Sequence, residues 1–340
     1  MAGTSGSSTE GSEPDGSTRG ISVSAELTPL AIVATGLRRT YGDVVAVDSV
    51  DLSVTEGEIY GFLGPNGAGK STVVKMLTTL ITPSGGSCTV LGHDVVTGAG
   101  QIRLQIGVAL QEASLDKKQT GRELLRLQAR LYGLTKAEAD RRIAELSSLI
   151  EMDAIDRFVE TYSGGMERRL DLAASLMHNP RLLFLDEPTT GLDPTSRTFV
   201  WDEVRRLNAE LGTTIFLTTQ YLEEADELAD RVGIISDGRL VGQGSPDELK
   251  RQVGTDVIVV KVASDLASAA RAVSAVSQVE HVETAGDELL ISVSDGAQAV
   301  SPVAVALDAS GAVVSQLTMR SPTLDDVFFE LTGGRIEVDA

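Results

Sequence analysis

An α/β domain built around a parallel sheet, carrying a helical insert and followed by a smaller α+β domain, is the fold that three observations predict. Short apolar runs bounded by turn residues recur from Leu30 to about residue 250, which is the pattern of buried strands. A glycine-rich stretch, Gly64 to Ser71, stands between one such run and a helical pattern. Beyond residue 254 the composition shifts to Ala, Val and Ser, and the order becomes strand, helix, strand, strand, helix, strand.

Taken in order, residues 1–28 are mostly Gly, Ser, Thr and acid, a composition that cannot repay the entropy of ordering and predicts a flexible tail. The main domain is expected over 29–253. Its strands are expected at LAIVATGL from Leu30, VDLSV, EIYGFLG, IGVAL, LLFL from Leu182, TIFLTT, and at VGIIS and RLVGQG, which Asp237-Gly238 joins as a hairpin. Thr120 with Glu123, and Thr135 with Glu138, have capping-box spacing ahead of amphipathic runs. They predict helices from about Thr120 to Phe158, inside an insert spanning about 115–165. Ser245-Pro246-Asp247-Glu248 opens another helix, with a cap, a proline at its first position and acids behind it. The accessory domain is expected over 254–340, and its βαββαβ order is that of a ferredoxin-like split βαβ unit, although helix and strand are easily confused in Ala/Val-rich segments. Ser321-Pro322-Thr323 opens a last helix.

Composition narrows the function. With 49 acids against 29 bases in 340 residues the net charge is −20, too acidic for a chain that coats nucleic acid. Apolar residues make 42% and charged residues 23%, close to the globular norm. A single cysteine, Cys88, allows no intrachain disulfide, and His93, His178 and His281 are scattered, so a structural zinc site is not expected. A spanning helix needs about 20 mostly apolar residues; the longest charge-free stretch, Met76 to His93, is broken by Pro83, Gly85 and Gly86. Neither a membrane span nor a secretory leader is expected, which places the chain in the cytoplasm.

The chemistry starts at Gly64-Pro65-Asn66-Gly67-Ala68-Gly69-Lys70-Ser71, a G-x-x-x-x-G-K-[ST] stretch followed by Thr72. Glycines let backbone N–H groups turn inward around phosphate oxygens, the following helix N-terminus adds partial positive charge, Lys70 bridges the β- and γ-phosphates, and Ser71 can bind Mg²⁺. The run Leu182-Leu183-Phe184-Leu185 ends in Asp186 and Glu187. A buried parallel strand delivers such acids to the edge where ligands of these sheets bind, so that Asp186 can hold Mg²⁺ and Glu187 can polarise an attacking water.

About twenty residues ahead of that strand, Tyr162-Ser163-Gly164-Gly165-Met166 opens an amphipathic helix. It resembles the signature sequence of ATP-binding cassette (ABC) proteins, usually written LSGGQ. The other marks of that family follow in order: Tyr41, Gln111, Gly191-Leu192-Asp193-Pro194 and Thr218-Thr219-Gln220-Tyr221. The likeness covers about residues 30–250. It implies ATP and Mg²⁺ as cofactors, with Tyr41 stacked on adenine, although a lone tyrosine is also an ordinary rim or core residue. It implies Gln111 on Mg²⁺ and at the membrane partner, and Ser163, Gly164 and Gly165 on the γ-phosphate held by a second copy in a head-to-tail dimer.

Two departures stand out. Met166 replaces the last glutamine of the signature, and Gln220 stands where the family usually has histidine. A glutamine amide can donate to phosphate but cannot carry charge, so the expected catalytic set is Glu187, Lys70 and Gln220, with hydrolysis resting on Glu187.

An ATPase of this kind without a spanning segment needs a partner. Separate transmembrane permease subunits fit better than a soluble ABC ATPase of translation or repair, which more often has two cassettes, or than a purely regulatory nucleotide-binding module. Glutamine at 220, the Tyr-Ser-Gly-Gly-Met signature and the tail Ser321-Pro322-Thr323-Leu324-Asp325-Asp326-Val327-Phe328 are most similar to the daunorubicin-resistance type of antibiotic exporter ATPase. The same tail is also read as a capped helix packing Leu324, Val327 and Phe328 onto the small domain. The location this implies is the cytoplasmic face of the membrane, with no nucleic-acid partner.

Overall fold

The computed structural model describes residues 29–110, 115–149, 152, 154–263 and 265–333. The tail over 1–28 and Gln111 lie outside the described residues.

Strands β1 (Leu30–Tyr41) and β2 (Val44–Thr55) form an antiparallel pair. The apolar run Ile59–Leu63 is β3, buried along its whole length; it feeds the glycine-rich loop and α1 (Lys70–Leu77). Next come β4 (Gly85–Val90), β5 (His93–Asp94), the short α2 (Ala99–Arg103) and β6 (Ile106–Ala109). β4 docks on β1 to give the sheet order β2-β1-β4-β5. The charge-free stretch thus holds a strand that sequence reading missed. Its second residue, Gly86, at φ +77°, lies where a Cβ would collide with the Gly36 carbonyl, so glycine here permits close backbone approach rather than a break.

The insert forms α3 (Gly121–Leu131) and α4 (Lys136–Leu149). Both capping boxes are present: Glu123 N–H donates to Thr120 Oγ1 at 3.2 Å, and Glu138 N–H to Thr135 Oγ1 at 3.3 Å. The signature helix α5 (Gly164–Ser175) is capped by Ser163. Beyond it run β7 (Leu182–Asp186), α6 (Pro194–Leu211), β8 (Thr214–Thr219) and α7 (Leu222–Leu228). The hairpin β9 (Arg231–Ser236) and β10 (Arg239–Gly244) turns at Asp237 and Gly238, both at positive φ, and α8 (Pro246–Val253) follows with its Ser245–Glu248 box. The central sheet has the order β10-β9-β3-β8-β7-β6 and is parallel except for edge strand β10. β3 and β7 are separated only by β8, so the loop after β3 and the acids ending β7 open on the same edge.

The remainder forms β11 (Asp256–Val262), α9 (Leu266–Val273), β12 (Val279–Ala285), β13 (Glu288–Val293), α10 (Gly296–Ala309) and β14 (Val314–Arg320). The antiparallel order β12-β13-β11-β14 is the ferredoxin-like arrangement. Ile258, Val260, Ile291 and Val293 of the sheet meet Ala269, Val273, Val303 and Leu307 of the two helices in a core of their own.

The last helix, α11 (Leu324–Thr332), corrects an expectation. Leu324, Val327 and Phe328 pack against Ala225, Val232, Ile234 and Leu249 of the main domain, not onto the small one. The reason is that the accessory core is already closed by α9 and α10, whereas β9, α7 and α8 leave an apolar face for α11 to cover. Phe328→Ala is therefore expected to cost the whole chain about 3–5 kcal/mol, and Phe329→Ala, at a half-exposed position, less than about 0.5 kcal/mol. Urea unfolding of both variants checks this.

Candidate functional site

The loop after β3 is built by close approach. A Cβ at Gly64 would collide with the Ile235 carbonyl, and one at Gly69, where φ is +107°, would lie 2.6 Å from the Ala46 carbonyl oxygen. With Gly67 at φ +82°, the backbone curls as side-chain-bearing residues rarely do. The result is a cavity of about 380 Å³ lined by Ala46, Asn66, Gly67, Gly69, Lys70, Ser71, Thr72 and Glu187.

Lys70 is buried, and its ammonium donates to Gly64 O at 2.7 Å and Pro65 O at 3.1 Å, 3.2 Å from Glu187 Oε1. Burial lowers its pKa, opposed by the charge and hydrogen bond of Glu187 and by the charge of Asp186. Behind it, Ser71 Oγ donates to Asp186 Oδ1 at 3.3 Å, and Thr218 Oγ1 donates to the same oxygen at 2.6 Å. Glu187 stands at φ +50°, a conformation that costs a residue with a side chain about 1–3 kcal/mol. Its N–H holds that shape by donating to Thr218 O at 3.1 Å and Thr218 Oγ1 at 3.0 Å, and Thr190 Oγ1 donates to its Oε2 at 3.3 Å. Strain of this kind aims a carboxylate into the cavity instead of along the strand.

The other predicted residues stand apart from that cavity lining. Tyr41 ends β1, 45% exposed, with the Arg39 guanidinium 4.7 Å over its ring. Gln220 is buried just past β8, and its Oε1 has no hydrogen-bond partner among the described residues. Ser163 Oγ accepts from the Met166 N–H at 3.3 Å, which opens α5, and Met166 itself packs against the main core. Sequence reasoning missed two members. Ala46 lines the cavity from β2, and a lone alanine carries no signal. Thr218 locks both acids from the neighbouring strand, and only its place beside the paired β7 residues reveals it.

The donor set suits the expected ligands. Carboxylate and hydroxyl oxygens at Asp186 and Ser71 are magnesium chemistry, and an inward-curled glycine loop with a lysine is phosphate chemistry. Sheet, loop and acid-ended strand together define a phosphate-loop nucleotide-binding protein.

Comparison with known proteins agrees. Residues 47–190 match the ABC transporter family (ABC_tran), and residues 244–332 match the ATP-binding protein DrrA1-3-like, C-terminal domain. Daunorubicin resistance ATP-binding protein DrrA3 of Streptomyces coeruleorubidus is 47% identical over 308 residues, covering 89% of this chain and 96% of that protein. The Nod factor export ATP-binding protein I of Sinorhizobium fredii is 41% identical over 316 residues, covering 92% and 89%. Among solved structures, an ATP-binding subunit of an ABC transporter superposes with a TM-score of 0.60 at 29% identity, over 65% of this chain and 92% of that one. The chain belongs to the ATP-binding proteins of ABC transporters. It is the ATPase of an exporter, with the accessory domain of the daunorubicin-resistance branch.

Proposed function

We propose that the chain binds Mg·ATP in the cavity between the glycine loop and β7 and hydrolyses it to drive export of an antibiotic or other lipophilic compound through separate permease subunits. The observation that carries this is the meeting of Lys70 and Glu187 in one cavity, 3.2 Å apart, with Asp186 bonded to Ser71 beside them.

Incoming phosphate oxygens compete with Glu187 for the Lys70 ammonium, which frees the carboxylate to orient water. The loop N–H groups from Gly67 to Thr72 and the start of α1 hold the phosphates. Asp186 and Ser71 would hold the Mg²⁺, which neutralises charge on the phosphate oxygens. Tyr41 would meet adenine once Arg39 moves off its ring. Ser163, Gly164 and Gly165 would complete the site of a second copy in a head-to-tail dimer, since within one chain they are not part of the cavity lining. Gln220 would donate its amide to the γ-phosphate.

The export reading draws on the relatives named for daunorubicin resistance, and the relative named for Nod factor export favours a second reading, export of another amphiphilic small molecule. No helix among the described residues is long and apolar enough to cross a membrane, and a net charge of −20 opposes attraction to anionic lipid. Attachment at the cytoplasmic face would then come from a permease. A groove of about 360 Å³ between insert and sheet, lined by Leu80, Leu110, Tyr132 and Asp171, offers a place for it.

The test is co-purification with the permease and uptake of candidate compounds into inverted vesicles. ATP-dependent uptake that disappears in Glu187→Gln is expected; ATP turnover unaffected by permease and compound contradicts the reading. Gln220→Ala is expected to lower turnover by no more than about ten-fold, less than a lost general base, as steady-state phosphate release would show.

A further inference from the structure

On α7, four residues beyond Gln220, lies a carboxylate that the reading above does not use. Glu224 is fully buried. Its Oε1 accepts from the Thr189 hydroxyl at 2.8 Å and from the Trp201 indole N–H at 3.0 Å. Burial raises its pKa, against the hydrogen bonds from Thr189 and Trp201 and the charge of Arg197. These partners belong to different elements. Thr189 stands two residues past Glu187 in the loop leaving β7, Trp201 is on α6, and Glu224 itself is on α7, the helix that follows Gln220. The next loop residue, Thr190, donates to Glu187 itself. An apolar residue would fill the same space without the cost of burying a carboxyl, so its polar contacts carry the reason for its presence.

We propose that Glu224 is a positioning residue that clips the loop leaving Glu187 to α6 and to α7, the helix that begins two residues past Gln220, so that base and γ-phosphate contact keep their spacing through turnover. The inference rests on the assignment of Glu187 as base. The clip works through acceptance at Oε1 and needs no negative charge. A glutamine, which keeps a carbonyl at that position, therefore substitutes for it, whereas alanine does not.

The test is steady-state ATP hydrolysis by the full chain for Glu224→Gln, Glu224→Ala, Thr189→Val and the Ala/Val double variant. Rates are normalised to the fraction that binds a fluorescent ATP analogue. Glu224→Ala and Thr189→Val are expected to lower kcat by about 10- to 100-fold, with KM for ATP within about two-fold of wild type. The double variant should be no slower than Glu224→Ala, because the Thr189 contact is already lost in Glu224→Ala, and Glu224→Gln should recover most of the rate. A binding-competent Glu224→Ala with wild-type kcat, or losses that simply multiply in the double variant, overturns the proposal. Should Glu224→Ala not fold, Thr189→Val, which deletes one hydroxyl, decides alone, and a wild-type kcat there overturns it. Wild-type turnover in Glu187→Gln is a different failure, since it removes the base and not the clip.

Discussion

Replacing Glu187 by glutamine is expected to lower kcat for ATP hydrolysis by about 10²- to 10⁴-fold, the usual worth of a positioned general base, while ATP binding persists. The side chain keeps its size, and Thr218 still fixes the backbone at φ +50°. What disappears is the charge, and with it both the pull on water and the ion pair to Lys70 at 3.2 Å. Lys70 retains Gly64 O and Pro65 O and meets phosphate with one competitor fewer, so ATP affinity should hold or rise. Phosphate release and equilibrium binding of a fluorescent ATP analogue separate the two effects. Wild-type turnover in this variant would remove Glu187 from the mechanism.

Lys70→Ala acts on the opposite step. Each charge-assisted hydrogen bond to phosphate is worth about 1.5–3 kcal/mol, so ATP affinity should fall by at least about 10- to 100-fold. Because Lys70 and Glu187 are both buried, the variant also takes the ammonium away from the Glu187 carboxylate, which keeps the Thr190 hydroxyl, and removing one partner of a buried ion pair costs up to about 3–5 kcal/mol. The prediction is a protein that unfolds earlier in urea and gains little stability from ATP. Lys70→Arg should not rescue binding, because two carbonyls and a carboxylate converge on one compact ammonium, a geometry that the planar fork of a guanidinium does not reproduce. ATP affinity within two-fold of wild type in Lys70→Ala, about what loss of no contact gives, would contradict the role assigned to it.

The parts of this architecture that use local rules were legible in the sequence. Thr120, Thr135 and Ser245 cap helices as their spacing indicates, Asp237-Gly238 turns a hairpin, and the glycine loop lies between β3 and α1. Helix α6 is less legible although it has a clear start, because Asp193-Pro194, its cap and first residue, coincide with a family mark that draws the pair to the nucleotide site instead. β4 was hidden because its glycines serve a close approach to β1 that only the fold creates. The docking of α11 was illegible for a related reason: its apolar stripe shows that something is covered, not what. At the site, Lys70, Ser71, Asp186 and Glu187 could be placed from spacing, whereas Thr218 and Glu224 act through neighbours that are distant in sequence, Asp186 and Thr189.

The central claim is that two copies of this chain close on ATP and open on hydrolysis, each lending Ser163, Gly164 and Gly165 to the other's phosphate loop. It is tested most directly by measuring the mass of Glu187→Gln in solution with ATP and with ADP. The account predicts a two-chain species with ATP that reverts to one chain with ADP and is lost when Ser163 is replaced by arginine. A single-chain mass at saturating ATP, together with wild-type ATP turnover in the Ser163 variant, would contradict it.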